Sequence, residues 1–312
     1  MPAGKKILLK RLWQAPLILF ILITISFILM RFAPGGPFTA EKEFDPEVQQ
    51  ALNERFHLDK PVPVQYFHYM TGLAVGDLGP SLKHKDTTVS EIIADRLPNS
   101  IVLGVSALVL AIGLGCSAGI ISALRAGSST DYSVMLLAVG GISIPAFVTG
   151  PILQTIFSAK LDLLPAAGYE GAGALAYLIL PSLTLSFPFI ARIARLVRTG
   201  MVDTLNNDYI QTAKAKGLSM RKIVFHHALP GAMIPVVSYL GPAAAAMLTG
   251  SLVVEKIFQI PGLGREFVES ALNRDYPLVM GTVIVYGTLL ILFNILTDLI
   301  HTFIDPRLRR KI

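Results

Sequence analysis

Long apolar stretches alternate with shorter polar connections along most of the chain. Each stretch holds roughly 20 residues with few charges, which is the length that crosses a bilayer as a helix. The pattern predicts six transmembrane helices, at residues 13–30, 101–124, 132–159, 175–197, 233–254 and 278–303.

The composition agrees with this pattern. The chain is 53% hydrophobic and 15% charged, whereas soluble domains carry about 25% charged residues. The mean hydropathy is +0.59. The single cysteine, Cys116, excludes an intrachain disulfide, and no Cys/His cluster has zinc-site spacing. We therefore expect an all-α polytopic membrane protein.

The basic N-terminus followed by an apolar run also resembles a signal peptide. However, the run is long, and Met30, Arg31 and Phe32 stand where a small-x-small cleavage pattern would be needed. We expect an uncleaved first helix.

The distribution of Lys and Arg predicts the orientation, because cytoplasmic connections carry an excess of both. Basic residues gather in the N-terminal tail, in residues 189–231 and at the C-terminus. We therefore expect both termini in the cytoplasm. The enlarged segment 32–98, which holds more acidic than basic residues, is expected outside. The net charge of +6 then reflects topology and does not indicate nucleic acid.

The extracytoplasmic segment contains signs of local structure. Residues 34–37 form a turn signal, and Glu47 to Phe56 predicts a short helix. Gln65 to Leu73 is apolar and aromatic enough to lie along the membrane surface or on the helix tops. Glycines and prolines recur inside the spans, where they permit either close helix packing or kinked, movable helices.

Common catalytic motifs give no support for an enzyme. The sequence contains no GxxxxGK[ST] phosphate loop and no HExxH. The letters GxSxG occur once, as GCSAG at 115–119, inside a predicted transmembrane helix and not between a strand and a helix as in a serine hydrolase. His226 and His227 are adjacent, so a helix points them about 100° apart. Asp298, with Asn294 one turn before it, predicts an interhelical contact or a proton relay. Glu255 is expected to reach the interface at the end of the fifth helix.

The connection at residues 203–231, here called the basic loop, is unusually structured. Thr204 to Lys216 predicts one short helix, and Gly217 predicts its C-terminal cap at positive φ. Ser219 is a candidate N-cap for a second helix from Met220, which Pro230 is expected to end.

Three interpretations of the basic loop compete. A solvated loop does not need the glycine, serine and proline punctuation. A DNA-binding helix-turn-helix does not fit, because the segment is tethered to a membrane and the sequence gives no sign of the dimer that such motifs form. A docking element that enters a groove on a cytoplasmic partner fits best, since a short helix braced at both ends can transmit a rigid push.

The basic loop resembles the signature loop of ABC-type import permeases: EAA, three residues, Gly, nine residues, Ile, one residue, Leu-Pro. Ala213, Gly217, Leu229 and Pro230 match this frame. Gln211, Thr212 and His227 depart from it in the manner of the peptide/nickel branch. LPAAGY at 164–169, IPGLGREFVESALNRDYPLVMG at 260–281 and IDPRLR at 304–309 extend the resemblance, which is greatest to oligopeptide permeases.

The resemblance implies a non-catalytic permease subunit in a bacterial inner membrane. It implies a second homologous permease, two cytoplasmic ATPases that carry ATP and Mg, and an extracytoplasmic peptide-binding protein. The residues implied in ATPase docking are Gln211, Thr212, Ala213, Lys214, Lys216, Gly217, Leu218, His227, Leu229 and Pro230.

The turn at residues 261–264, here called the PGLG turn, is either an element of the translocation path, through Pro261, Gly262 and Gly264, or a plain hairpin turn.

Oligopeptides are the expected substrate, and dipeptides, nickel and glutathione remain open. A secondary transporter would need several mid-membrane polar residues, and an intramembrane enzyme would need a convergent catalytic set. The sequence offers few mid-membrane polar residues and no convergent catalytic set.

Overall fold

The computed structural model describes residues 3–32, 59–168 and 175–304, which form helices joined by short connections. These ranges contain no strand, apart from one isolated antiparallel bridge between Pro80 and Thr88. The predicted turn at 34–37 and helix at Glu47–Phe56 lie outside the described residues. In chain order the helices are α1 (Ala3–Phe32), α2 (Val62–Ala74), α3 (Val89–Leu124), α4 (Ser129–Ser143), α5 (Ala146–Leu153), α6 (Leu175–Leu205), α7 (Asp208–Ala215), α8 (Met220–Lys222), α9 (Leu229–Leu248), α10 (Leu252–Ile257), α11 (Leu263–Leu272) and α12 (Tyr276–Ile304).

Five helical stretches in the described ranges are long and apolar enough to cross a membrane. They are Trp13–Phe32, Val89–Leu124, Leu175–Leu205, Met220–Ile257 and Tyr276–Ile300. A sixth span is available if α4 and the helix that follows it count as one broken span. That pair, Ser129–Ser143 and Ala146–Lys160, is bent by 110°.

The third span, predicted at 132–159, is therefore not one continuous helix. Ile144 has extended backbone angles (φ −89°, ψ 118°), and Pro145 occupies the N-cap of α5. A proline disfavours helical geometry in the residue before it and lacks the N–H that would continue the ladder. α5 then runs into a π-helical segment, Gln154–Lys160.

The second span begins earlier than the predicted residue 101. Thr88 and Glu91 form a capping box, in which each side chain accepts a hydrogen bond from the backbone N–H of the other residue. α3 therefore begins at Val89 and contains Pro98. The hydropathy pattern did not predict this helical extension, because Asp95 and Arg96 make the sequence before residue 101 polar.

Close packing between α3 and α6 forms the centre of the described bundle. A Cβ added to Gly115 would lie 2.8 Å from Ile193 Cβ, and one added to Gly119 would lie 2.7 Å from the backbone oxygen of Ala194. Glycine at these positions permits the helix backbones to approach, as small residues commonly do in membranes.

Asp131 ties three helices together. Its carboxylate accepts two hydrogen bonds of 2.6 Å from the Arg198 guanidinium, one from the Ser122 hydroxyl and one from the Gly127 amide. The residue is 1% exposed, and a bidentate pair of this kind fixes geometry as well as charge. It joins the end of α3 and the start of α4 to α6.

The first and last helices are joined by Arg11 and Asp298, whose Nε and Oδ2 atoms lie 2.7 Å apart. The interhelical contact predicted for Asp298 is confirmed, and its described partner is Arg11 on α1.

We predict opposite effects for alanine at two glycines of α3. At Gly113 an added Cβ meets nothing within 4 Å, so Gly113→Ala is expected to be neutral or to raise the thermal midpoint, because alanine favours helix. Gly119→Ala overpacks the α3–α6 contact and is expected to destabilise the protein by about 1–3 kcal/mol. Thermal unfolding of the two detergent-solubilised variants measures the difference, and equal midpoints would contradict this account of the packing.

Candidate functional site

The basic loop consists of two helical pieces that pack against each other. α6 ends at Leu205, and α7 begins at Asp208 after a turn at Asn206 and Asn207. The prediction of one helix over 204–216 is wrong at this point. Asn side chains compete for backbone hydrogen bonds and favour helix boundaries over helix interiors, and two of them stand in sequence here.

One face of α7 is buried. Ile210 and Ala213 are 0% and 7% exposed, and they belong to the same core cluster as Ile223 and Val224 of the following helical segment. The Tyr209 hydroxyl donates a hydrogen bond to the backbone oxygen of His227 over 3.3 Å. The loop is therefore braced against the bundle along one side and exposed along the other.

Gly217 closes α7 with the geometry predicted for it. Its φ is +77°, its amide donates to Lys214 O, and the Leu218 amide donates to Ala213 O. These two bonds define a Schellman motif. A Cβ at Gly217 would meet nothing within 4 Å, so only the backbone conformation requires glycine here.

Pro230 does not end the second helix, contrary to prediction. The chain passes from α8 through a π-helical segment, Ile223–Ala228, directly into α9. A proline ring normally clashes with the carbonyl four residues before it. The wider π-helical turn lies in that position, as π-bulges do elsewhere within α-helices, and the helix continues through Pro230.

The predicted docking residues fall into two groups. Ala213 is buried, while Leu218, His227 and Leu229 are partly buried, so these four shape the loop more than its surface. The exposed surface is formed by Gln211, Thr212, Lys214, Lys216, Gly217 and Pro230.

A cleft beside this surface was missed by the prediction. Ser219, Arg221, Lys222, Phe225 and His226 line a volume of about 360 Å³. Phe225 is 51% exposed although its neighbours Ile223 and Val224 are buried. A helical projection of residues 220–229 would have placed Phe225 on the opposite side from these two.

The PGLG turn encloses a buried carboxylate at the other end of α9. Glu255 is 0% exposed, so the expectation that it reaches the interface is wrong. It accepts hydrogen bonds of 2.8 Å from the Ser100 hydroxyl and from the Arg265 amide. Burial of a carboxylate requires such partners, and α3 and α11 supply them.

Three glycines make room for this carboxylate. A Cβ at Gly250 would lie 2.3 Å from Glu255 Oε1, one at Gly262 would lie 2.4 Å from its Cδ, and one at Gly264 would lie 3.1 Å from Oε2. Gly250 also has a φ of +83°. The turn connects two helices, α10 and α11.

The geometry defines a class of protein: a multi-pass α-helical membrane protein with a braced basic loop and, among its described residues, no cluster suited to a metal ion. The family described as "Binding-protein-dependent transport system inner membrane component" matches residues 111–310. The corresponding N-terminal family matches residues 5–104. The chain belongs to this family and is a multi-pass protein of the bacterial inner membrane.

Individual relatives agree with this assignment. The chain is 47% identical to the "Oligopeptide transport system permease protein OppB" of Haemophilus influenzae over 97% of its own length and 99% of the relative's. It is 42% identical to the "Dipeptide transport system permease protein DppB" of Bacillus subtilis, over 97% of each chain. A chain of the MetNI methionine ABC transporter, solved in inward-facing conformations, shares the fold with a TM-score of 0.54 and 16% identity, covering 69% of this chain and 97% of that one.

The burial pattern of α7 makes a prediction about neighbouring alanines. Ala213→Glu places an unpaired charge in the core, which costs several kcal/mol, so α7 should detach from the bundle. Ala215→Glu adds the same side chain at an exposed position and is expected to change stability by less than about 0.5 kcal/mol. Limited proteolysis of the basic loop measures detachment. Equal cleavage rates in the two variants would contradict the described packing.

Proposed function

We propose that the chain is a permease subunit of an ATP-driven oligopeptide importer. The observation that carries this proposal is the 47% identity, over nearly the full length of both chains, to an oligopeptide transport system permease. The chain forms part of the translocation pathway and performs no covalent chemistry itself. ATP and Mg bind to separate ATPase subunits.

The proposed topology places both termini and the basic loop in the cytoplasm and segment 32–98 outside. The excess of Lys and Arg in residues 189–231 and at the termini supports this orientation. The PGLG turn then lies towards the outer side, at the far end of α9 from the basic loop, next to the translocation path.

The proposed complex contains a second homologous permease, two cytoplasmic ATPases and an extracytoplasmic peptide-binding protein, all embedded in or bound at the lipid bilayer. The exposed face of α7, with Gln211, Thr212, Lys214 and Lys216, docks on one ATPase. Burial of Ile210 and Ala213 holds that face rigid, so that movement of the ATPase is transmitted to the bundle.

A dipeptide importer is the second candidate, because the chain is 42% identical to a dipeptide transport system permease. A secondary transporter has less support, since Asp298, the candidate proton relay, is ion-paired with Arg11.

Docking through the basic loop predicts a specific effect of strain at Gly217. A β-branched residue at positive φ costs about 1–3 kcal/mol, so Gly217→Val is expected to lower both ATPase co-purification and peptide uptake about tenfold or more, with membrane insertion unchanged. Gly76→Val is the matched control, because Gly76 has a φ of +83° and equally open surroundings but lies in the turn after α2, within segment 32–98. Equal losses in the two variants, or unchanged uptake in Gly217→Val, would contradict docking through this loop.

The substrate assignment predicts a length dependence. In cells that depend on this chain for peptide uptake, unlabelled tripeptides and longer peptides are expected to compete with a labelled tripeptide more strongly than dipeptides do. Stronger competition by dipeptides would favour the second candidate function.

A further inference from the structure

The cluster around Glu255 has no part in ATPase docking. Glu255 itself is the most deeply buried residue of a charged type among the described residues, at 0% exposure. We call the cluster the Glu255 clamp: the Glu255 carboxylate, the Ser100 hydroxyl, and the backbone amides of Leu263 and Arg265. Ser100 accepts a hydrogen bond of 2.8 Å from the Leu263 amide and donates one of 2.8 Å to Glu255 Oε1. The clamp thus joins α3, α10 and α11 through a connected set of hydrogen bonds.

The clamp replaces an ordinary helix cap. Gly262 stands at the N-cap of α11 and has no side chain with which to accept hydrogen bonds from the first amides of that helix. Ser100 and Glu255 accept two of them from other parts of the chain. A carboxylate is also favoured electrostatically at a helix N-terminus. The start of α11 is therefore satisfied only while α3 and α10 remain in place.

A second contact holds α3 to α9 one helical turn further along. A Cβ at Gly104, four residues after Ser100, would lie 2.5 Å from the Met247 backbone oxygen. The Asn99 amide group also donates to Pro261 O over 2.8 Å. Residues 99–104, in the first half of α3, thus contact the end of α9 directly and contact the PGLG turn through side chains.

The same helix leads back to the basic loop. Residues 220–248 are helical without interruption, first through the π-helical segment and then through α9. At 1.5 Å per residue this length is about 40 Å, enough to cross the hydrocarbon core. The basic loop therefore lies at one end of this continuous helix, and the Glu255 clamp follows its other end, after the break at residues 249–251.

We propose that Glu255 is a positioning residue for transport. Through the clamp it fixes α3 and α11 to α10, the short helix that follows α9, so that a displacement of the basic loop at one membrane face moves these helices and the PGLG turn at the other face as one unit. This inference rests on the proposed function, since it assigns the displacement to ATPase subunits docked on the basic loop. A buried ionic group is in itself weak evidence for a role in stability, and its directional contacts with three elements point to alignment.

The experiment uses the complete transporter, reconstituted with its second permease, ATPases and binding protein. Glu255→Gln keeps the shape of the side chain but turns one acceptor into a donor that faces an amide. We expect the complex to assemble, the basal ATPase rate to stay within twofold, and uptake of a radiolabelled tripeptide per ATP hydrolysed to fall about tenfold. Hydrogen exchange at residues 263–265 should accelerate. Asp95→Asn, at a carboxylate on α3 that is 71% exposed and lies outside the clamp, is expected to leave all four readouts unchanged.

Ser100→Ala gives an independent test with less risk to folding. It removes two clamp hydrogen bonds, the one donated to Glu255 and the one accepted from the Leu263 amide, and is expected to lower uptake per ATP several-fold. Ser106→Ala is its control, because Ser106 donates only to Val102 O of its own helix. Uptake per ATP equal to that of the unaltered transporter, in Glu255→Gln or, if that variant fails to assemble, in Ser100→Ala, would overturn the inference. If instead the unaltered transporter shows no ATP-dependent peptide uptake, the proposed function fails, and the inference that depends on it fails with it.

Discussion

Within a membrane each backbone amide and carbonyl needs a partner supplied by the protein, and the break after α9 depends on one carboxylate to meet this need. Glu255 and Ser100 accept hydrogen bonds from the first amides of α11, and three glycines leave space for the carboxylate. Without this arrangement the PGLG turn would carry unsatisfied amides next to a buried charge. The turn, the first half of α3 and the start of α11 therefore depend on one small cluster of hydrogen bonds.

At the start of α9, near the basic loop, the backbone hydrogen bonds are satisfied in a different way. Pro230 interrupts the hydrogen-bond ladder, and a π-helical segment at Ile223–Ala228 allows the helix to continue through it. Gly217 closes α7 with a Schellman motif, so the loop turns back without loose carbonyls. A helix that is continuous at the basic loop and followed at its other end by the Glu255 clamp is mechanically suited to transmit movement along its length.

Much of this architecture could be predicted from the sequence, because membrane spans depend on length and apolar composition, which are local properties. The positive φ of Gly217 was predictable for the same reason. The bend at Ile144 and the passage of a helix through Pro230 were not, because each depends on how neighbouring helices accommodate a proline. Glu255 was misplaced because its partner Ser100 stands 155 positions earlier in the chain. Asp131 was missed because an acid beside a turn resembles a solvated residue until its contact with Arg198 is seen.

The central claim is that this chain imports oligopeptides with energy from ATP bound on partner subunits. Its most direct test is uptake of a radiolabelled tripeptide into proteoliposomes that contain the complete transporter, with binding protein and peptide on the side facing segment 32–98 and ATP on the side of the basic loop. The account predicts accumulation with ATP and none with a non-hydrolysable analogue or with a proton gradient alone. Accumulation driven by the proton gradient without ATP would contradict it.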